Sequence, residues 1–117
     1  MPAAKLNLPP IEKGATYKHS LIWKDGTGVL MDLVDCQAKM QVREAVESDI
    51  VLIELSTSNG RITIIPVEGK IDLYVSDEDS SILETVGGVY DLEIYHPNGE
   101  TTRLIEGKII FKPEVTR

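Results

Sequence analysis

The stretch GGVYDLEIYHPNGETTRLIEGKIIF, Gly87 to Phe111, leaves this chain little freedom. It reads as one long β-hairpin whose apolar face needs other strands to cover it. The turn is His96-Pro97-Asn98-Gly99-Glu100. A two-residue Asn-Gly turn would pair Pro97 with Glu100, and Pro97 has no N–H to give such a pair. A three-residue loop avoids the conflict. Pro97 takes the first central position of a type I turn, Asn98 the second, and Gly99 the left-handed bulge position. That register sets Ile94 opposite Thr102, Glu93 opposite Arg103 and Leu92 opposite Leu104. An apolar pair and an opposite-charge pair then fall on different faces, each contributing roughly 0.2–1 kcal/mol. Tyr90, Leu92, Ile94 and Leu104 are expected to point inward. Farther on, Ile109 and Phe111 are apolar between Lys108, Ile110 and Lys112, so the inward phase has become odd. Such a change needs one extra residue, and Glu106-Gly107 is the expected bulge.

Upstream, Tyr17, His19, Leu21 and Trp23 alternate with polar residues over Thr16–Lys24, the two-residue period of a half-buried strand. Asp25-Gly26-Thr27-Gly28 is a turn, and Val29–Leu33 a short apolar connection over one end of the core. Cys36, Ala38, Met40 and Val42 give a clean inward face. Val51, Ile53 and Leu55 give another, with Leu52 and Glu54 opposite. Ser58-Asn59-Gly60 and Glu68-Gly69 are turns around Arg61–Ile65. Ile71, Leu73 and Val75 then face inward, with Tyr74 outward. Only Ser76–Val86 breaks the pattern. Ser76 and Asp79 have capping-box spacing, and Ile82, Leu83 and Val86 sit at helical spacing behind them. One short helix is expected to cross between sheets. The expected fold is an all-β, immunoglobulin-like antiparallel β-sandwich with one short helix over residues 15–117. An extended N-terminal arm, residues 1–14, precedes it, with Pro9-Pro10 holding it straight. The arm is either a loose terminus or docks on a neighbouring subunit.

A chain of 117 residues can bury roughly two-thirds of its unfolded surface as one domain. Its one cysteine, Cys36, excludes an intrachain disulfide. No cleavable export signal or membrane span is expected. The net charge of −7, with lysines and arginines scattered, argues against nucleic-acid binding.

Catalytic and metal chemistry find little support in the residues. Asp77-Glu78-Asp79 lacks the alternating ligand spacing of a calcium loop and suits a helix N-terminus instead. Cys36, His19 and His96 are far apart in sequence, unlike the close pairs of a zinc site. His19 is expected to be a half-buried, hydrogen-bonded residue, Cys36 a small core hydrophobe, and His96 exposed beside its turn. No glycine pattern of a nucleophile elbow or phosphate loop surrounds any serine or lysine. No catalytic residue, metal ligand or cofactor is expected. Trp23 and Tyr90 belong to inward faces, and Tyr90 holds the position of a tyrosine corner. Tyr74 and Tyr95 are the two aromatic candidates for a contact surface, on which a small ligand or glycan could be held.

The segments TYKHSLIWKDG, MDLVDCQAKMQVRE, LIELSTSNGRITI, GKIDLYVS and GGVYDLEIYHPNGETTRLIEGKIIFKPEVTR resemble small structural proteins of tailed bacteriophages and prophages. They are also similar to the immunoglobulin-like N-terminal domain of phage baseplate upper proteins. The shared pattern is Trp-x-Asp, Ala-x-Met-Gln-Val-Arg, Asn-Gly-Arg-Ile, Tyr-Asp-Leu-Glu and Arg-Leu-x-Glu-Gly. The resemblance implies a non-enzymatic component of a virion, made in the bacterial cytoplasm and placed in the tail, baseplate or a fibre attachment. It implies partners among other virion proteins, in several copies or as a homo-oligomer. Ending soon after the sandwich, the chain is expected to be an adaptor or decoration. Its arm and the tail Lys112–Arg117 are expected to order only against a partner.

Overall fold

The computed structural model describes residues 3–115. Its strands are β1 (Ala4–Lys5), β2 (Ile11–Glu12), β3 (Tyr17–Ile22), β4 (Gln37–Arg43), β5 (Ile53–Ser56), β6 (Ile62–Ile65), β7 (Lys70–Val75), β8 (Gly87–Tyr95) and β9 (Thr101–Lys112). Among the described residues there is one α-helix, α1, Asp77–Ser81. The β8–β9 hairpin closes as its residues require. The His96 N–H donates to the Glu100 carbonyl at 2.8 Å and the Gly99 N–H to the His96 carbonyl at 3.0 Å. Gly99 has φ 91°, which a side chain would resist. Ile94 faces Thr102 and Glu93 faces Arg103.

Below that point the register departs from expectation. Leu92 faces Ile105, not Leu104, so the extra residue is Leu104 and not Glu106-Gly107. Leu104 is half-buried against the core, and Ile105 takes the inward position. The reason lies opposite Tyr90. Without a bulge at Leu104, Tyr90 would pair with Glu106 and bring a carboxylate inward. With it, Tyr90 pairs with Gly107.

The larger sheet runs β1-β9-β8-β4-β5, with β2 also on β9, and the smaller runs β3-β7-β6. This is the immunoglobulin-like arrangement, with strands B, E and D in one sheet and G, F, C and C′ in the other. Met40, Val42, Leu55, Leu92, Ile94 and Phe111 from the larger sheet meet Ile62, Ile71, Leu73 and Val75 from the smaller in one buried core. Val51, expected inward, is exposed, because β5 begins only at Ile53.

Two of the passages between the sheets, β5 to β6 and β7 to β8, are built joints. After β5, Asn59 holds the turn: its Oδ1 accepts from the Ser56 and Arg61 N–H groups, and its Nδ2 donates to the Glu54 carbonyl. After β7, the Ser76 hydroxyl accepts from the Asp79 N–H at 3.1 Å and caps α1. The helix lasts only five residues. The expected apolar face therefore does not form: Leu83 is buried, but Ile82 is 73% and Val86 78% exposed. The Val86 carbonyl already accepts from the Phe111 N–H, so the chain has joined the sheet before another helical turn could form. Among the described residues, no helix is long and apolar enough to cross a membrane.

The N-terminal arm is the largest departure. Residues 4–12, expected as a loose or neighbour-docking arm, lie along the chain's own β9. Ala4 and Lys5 pair with Ile105 and Glu106, and Ile11 and Glu12 with Phe111 and Lys112, all in parallel. Every other strand pairing among the described residues is antiparallel. The arm spends one more residue than β9 between these two contacts, and Pro9-Pro10 fall in that slack, where a missing N–H costs nothing. Leu8 and Ile11 enter the core, Ile11 with 0% exposure. Met1 and Pro2 of the arm lie outside the described residues, as do Thr116 and Arg117 of the tail.

Two phenols fix the arm. Tyr90 lies over Gly107, where even a Cβ would collide with the Leu6 carbonyl, and donates its hydroxyl to that carbonyl at 2.5 Å. Tyr17 donates to the Pro9 carbonyl at 3.0 Å. Tyr90 is therefore no tyrosine corner, since its acceptor is on the arm and not a few residues upstream. Ser80, fully buried, donates to the Ala15 carbonyl and accepts from the Gly14 N–H.

Burial pushes both phenols up to about 12. An unfolded tyrosine ionises near pH 10, so the unfolded chain releases these protons first. Stability from the neutral phenols is complete below about pH 10 and falls as the pH rises toward about 12. Tyr17→Phe and Tyr90→Phe should each cost about 1 kcal/mol at neutral pH. The double variant should flatten the alkaline decline in denaturant midpoint. Faster hydrogen exchange should be confined to the amides of Leu6, Leu8 and Lys13, which bond β9. An unchanged alkaline decline in the double variant would refute the clamp.

Candidate functional site

Three surface regions gather functional groups. The first is the outer face of the larger sheet, where a groove of about 620 Å³ runs over β4, β8 and β9. Alternation along these strands turns Gln41, Arg43, Asp91, Glu93 and Arg103 outward, and they bind one another. Gln41 donates to Glu54 Oε1 at 2.7 Å, and Arg43 donates to Gln41 Oε1 at 2.9 Å and to the Ser48 carbonyl. Arg103 lies 3.5 Å from Asp91 and 3.8 Å from Glu93. Partial burial raises the Asp91 carboxyl, and the Arg103 charge opposes that shift. Each cation at the centre of this face already has a partner, so it reads as a satisfied polar lattice.

Tyr95 belongs to this lattice. It is half-buried, and its hydroxyl donates to Glu93 Oε1 at 3.0 Å. Burial, then that bond, raises its phenol. Tyr74 lies on the other side of the molecule, on the outer face of β7 in the smaller sheet, 40% exposed. The two tyrosines singled out in the sequence thus face opposite ways and do not share one surface.

The second region lies at the end of the sandwich where β3 stops and β4 starts. Here the structure joins residues far apart in sequence. Cys36 Sγ is 3.6 Å from His96 Nδ1, and His96 Nε2 is 2.9 Å from Thr102 Oγ1. The Trp23 ring stands tilted against the imidazole, with centroids 6.2 Å apart. His96 is half-buried, not exposed as its turn suggested, because Trp23 covers it. His19 is also half-buried, but its ring has no hydrogen-bond partner among the described residues. Burial, then the charges of Asp32 and Asp35, raises the Cys36 thiol. A thiol kept neutral is a poor nucleophile. Among the described residues, no three His, Cys, Asp or Glu side chains converge as a metal site.

The third region was hidden in the connectors. A groove of about 440 Å³ lies between the β4–β5 connector and the end of α1. Ile53, Leu83 and Phe111 form its floor, and Ile50, Val51 and Ile82 its exposed rim. At one side Arg61 donates to Asp79 Oδ2 and to the Glu54 carbonyl, both at 2.8 Å. The Arg61 bond holds the Asp79 carboxyl below its usual range. The sequence signal was present: Ile50 directly follows the polar run Glu47-Ser48-Asp49, and Ile82 directly follows the polar helix Asp77–Ser81. No protein-family model matches this chain, and no curated protein does either.

The Cys36 environment makes one expectation concrete. In the native protein at pH 8, Cys36 should react with a disulfide reagent at least about tenfold more slowly than free cysteine. Denaturant should remove the difference. A native rate equal to that of free cysteine would contradict the neutral, covered thiol.

Proposed function

We propose that this chain is a non-enzymatic structural or adaptor module of a bacteriophage particle, belonging to the tail, the baseplate or a fibre attachment. The observation that carries the reading is where the phage-like segments fall on the fold. Ala-x-Met-Gln-Val-Arg is the body of β4, and Asn-Gly-Arg-Ile is the joint between the sheets built on Asn59. Tyr-Asp-Leu-Glu is the part of β8 that clamps the arm, and Arg-Leu-x-Glu-Gly is the bulged part of β9. The resemblance is thus one of framework, and it favours a role in which the sandwich itself is the working part. The centre of the larger sheet's outer face supports this, since Arg103 is paired with Asp91 and Glu93, and Arg43 is bonded to Gln41 and the Ser48 carbonyl. Several copies around a symmetric particle would multiply weak contacts.

The direct test is co-expression with the proteins encoded by the genes flanking its own, followed by size-exclusion chromatography and mass spectrometry of purified particles. Co-elution with at least one neighbour and presence in the particles are expected. A chain that elutes alone with every neighbour and is missing from particles would overturn the proposal.

A further inference from the structure

In the groove beside α1, exposed apolar side chains and one sign of charge coincide. Ile50 is 70% and Ile82 73% exposed, over a floor of buried Ile53, Leu83 and Phe111. Exposed isoleucines scattered singly are ordinary, but these two frame a concave surface. Three carboxylates line that surface, Glu44, Asp79 and Glu84, against a single cation, Arg61. Arg61 is already bound to Asp79, so Glu44 and Glu84 are left without a cation in the groove. Outside the lining, Asp49 precedes Ile50 and Asp77-Glu78 precede Asp79 in the chain, adding acidic residues next to those that line the groove.

We propose that this groove docks a basic segment of a different protein, one that presents two or more apolar side chains flanked by lysine or arginine. Charge complementarity selects that occupant. Apolar anchors would cover Ile50 and Ile82, and flanking cations would meet Glu44 and Glu84 without disturbing the Arg61–Asp79 pair. A second copy of this chain fits poorly, because it carries a net charge of −7 and brings more of the same sign. The central contact is apolar and the rim charged, so the rim sets orientation and encounter rate and the isoleucines most of the affinity. This reading does not depend on the particle in which the chain works.

The test uses the whole protein and a random twelve-residue peptide library, with enriched peptides measured by fluorescence anisotropy. Enriched peptides should carry paired apolar residues with lysine or arginine beside them. Ile50→Ser and Ile82→Ser should each weaken binding about tenfold, and Glu84→Lys should weaken it too. Both isoleucines are exposed, so these variants should keep the parent's denaturation midpoint. Binding should fall as ionic strength rises from about 0.01 M to about 1 M, where screening shortens from roughly 30 Å to roughly 3 Å. Val29→Ser, in the exposed turn at the opposite end of the sandwich, should change nothing. Three results would overturn the proposal: no enrichment, enrichment without basic residues, or binding indifferent to the groove variants. Self-association abolished by Ile82→Ser would overturn it in favour of a second copy.

Discussion

The outer edge of β9 is the constraint that shapes the rest of the molecule. β9 is twelve residues long and is paired to β8 on one side. Left bare, its other side would offer a row of N–H and C=O groups to any passing strand. The N-terminal arm closes it. The Leu6, Leu8 and Lys13 amides donate to the Glu106, Lys108 and Lys112 carbonyls, and the Asn7 side chain accepts from the Lys108 amide. The same path sinks Leu8 and Ile11 into the core and supplies the acceptors for Tyr17 and Tyr90. Edge, core and buried phenols are satisfied by one segment.

That arrangement also explains why the bulge sits at Leu104. Tyr90 can reach the arm only by crossing a residue with no side chain, and Gly107 serves only if the register slips before it. The turn residues His96–Glu100 specify the register near the loop. The need to put Gly107 under Tyr90 specifies it lower down.

How much could be read from the chain follows the same division. Turn chemistry and two-residue alternation are local, and they located the hairpin tip, the β4 and β7 faces and the cap at Ser76. The arm's pairing was not legible. Strands of two residues carry no period, and Pro9-Pro10, expected to hold the arm straight, fill the slack between two contacts. Leu104 and Ile105 are both apolar, so sequence gave no reason to shift the phase there. For the functional surfaces, the contact of Cys36 with His96 spans 60 residues and depends on sheet order. The groove beside α1 needed the early end of the helix, which exposes Ile82 instead of burying it. Tyr74 and Tyr95 could be assigned to outer faces, but alternation could not say that those faces belong to opposite sheets.

The arm as a strand of its own chain's sheet is tested most directly by solution NMR on the intact protein. One sample would be uniformly labelled and a second would mix labelled with unlabelled chains. An intrachain strand gives nuclear Overhauser contacts from Leu6 to Gly107 and from Ile11 to Phe111 in the first sample. It gives no contact between labelled and unlabelled chains in the second. Random-coil shifts across residues 4–12, or arm contacts seen only between different chains, would contradict it.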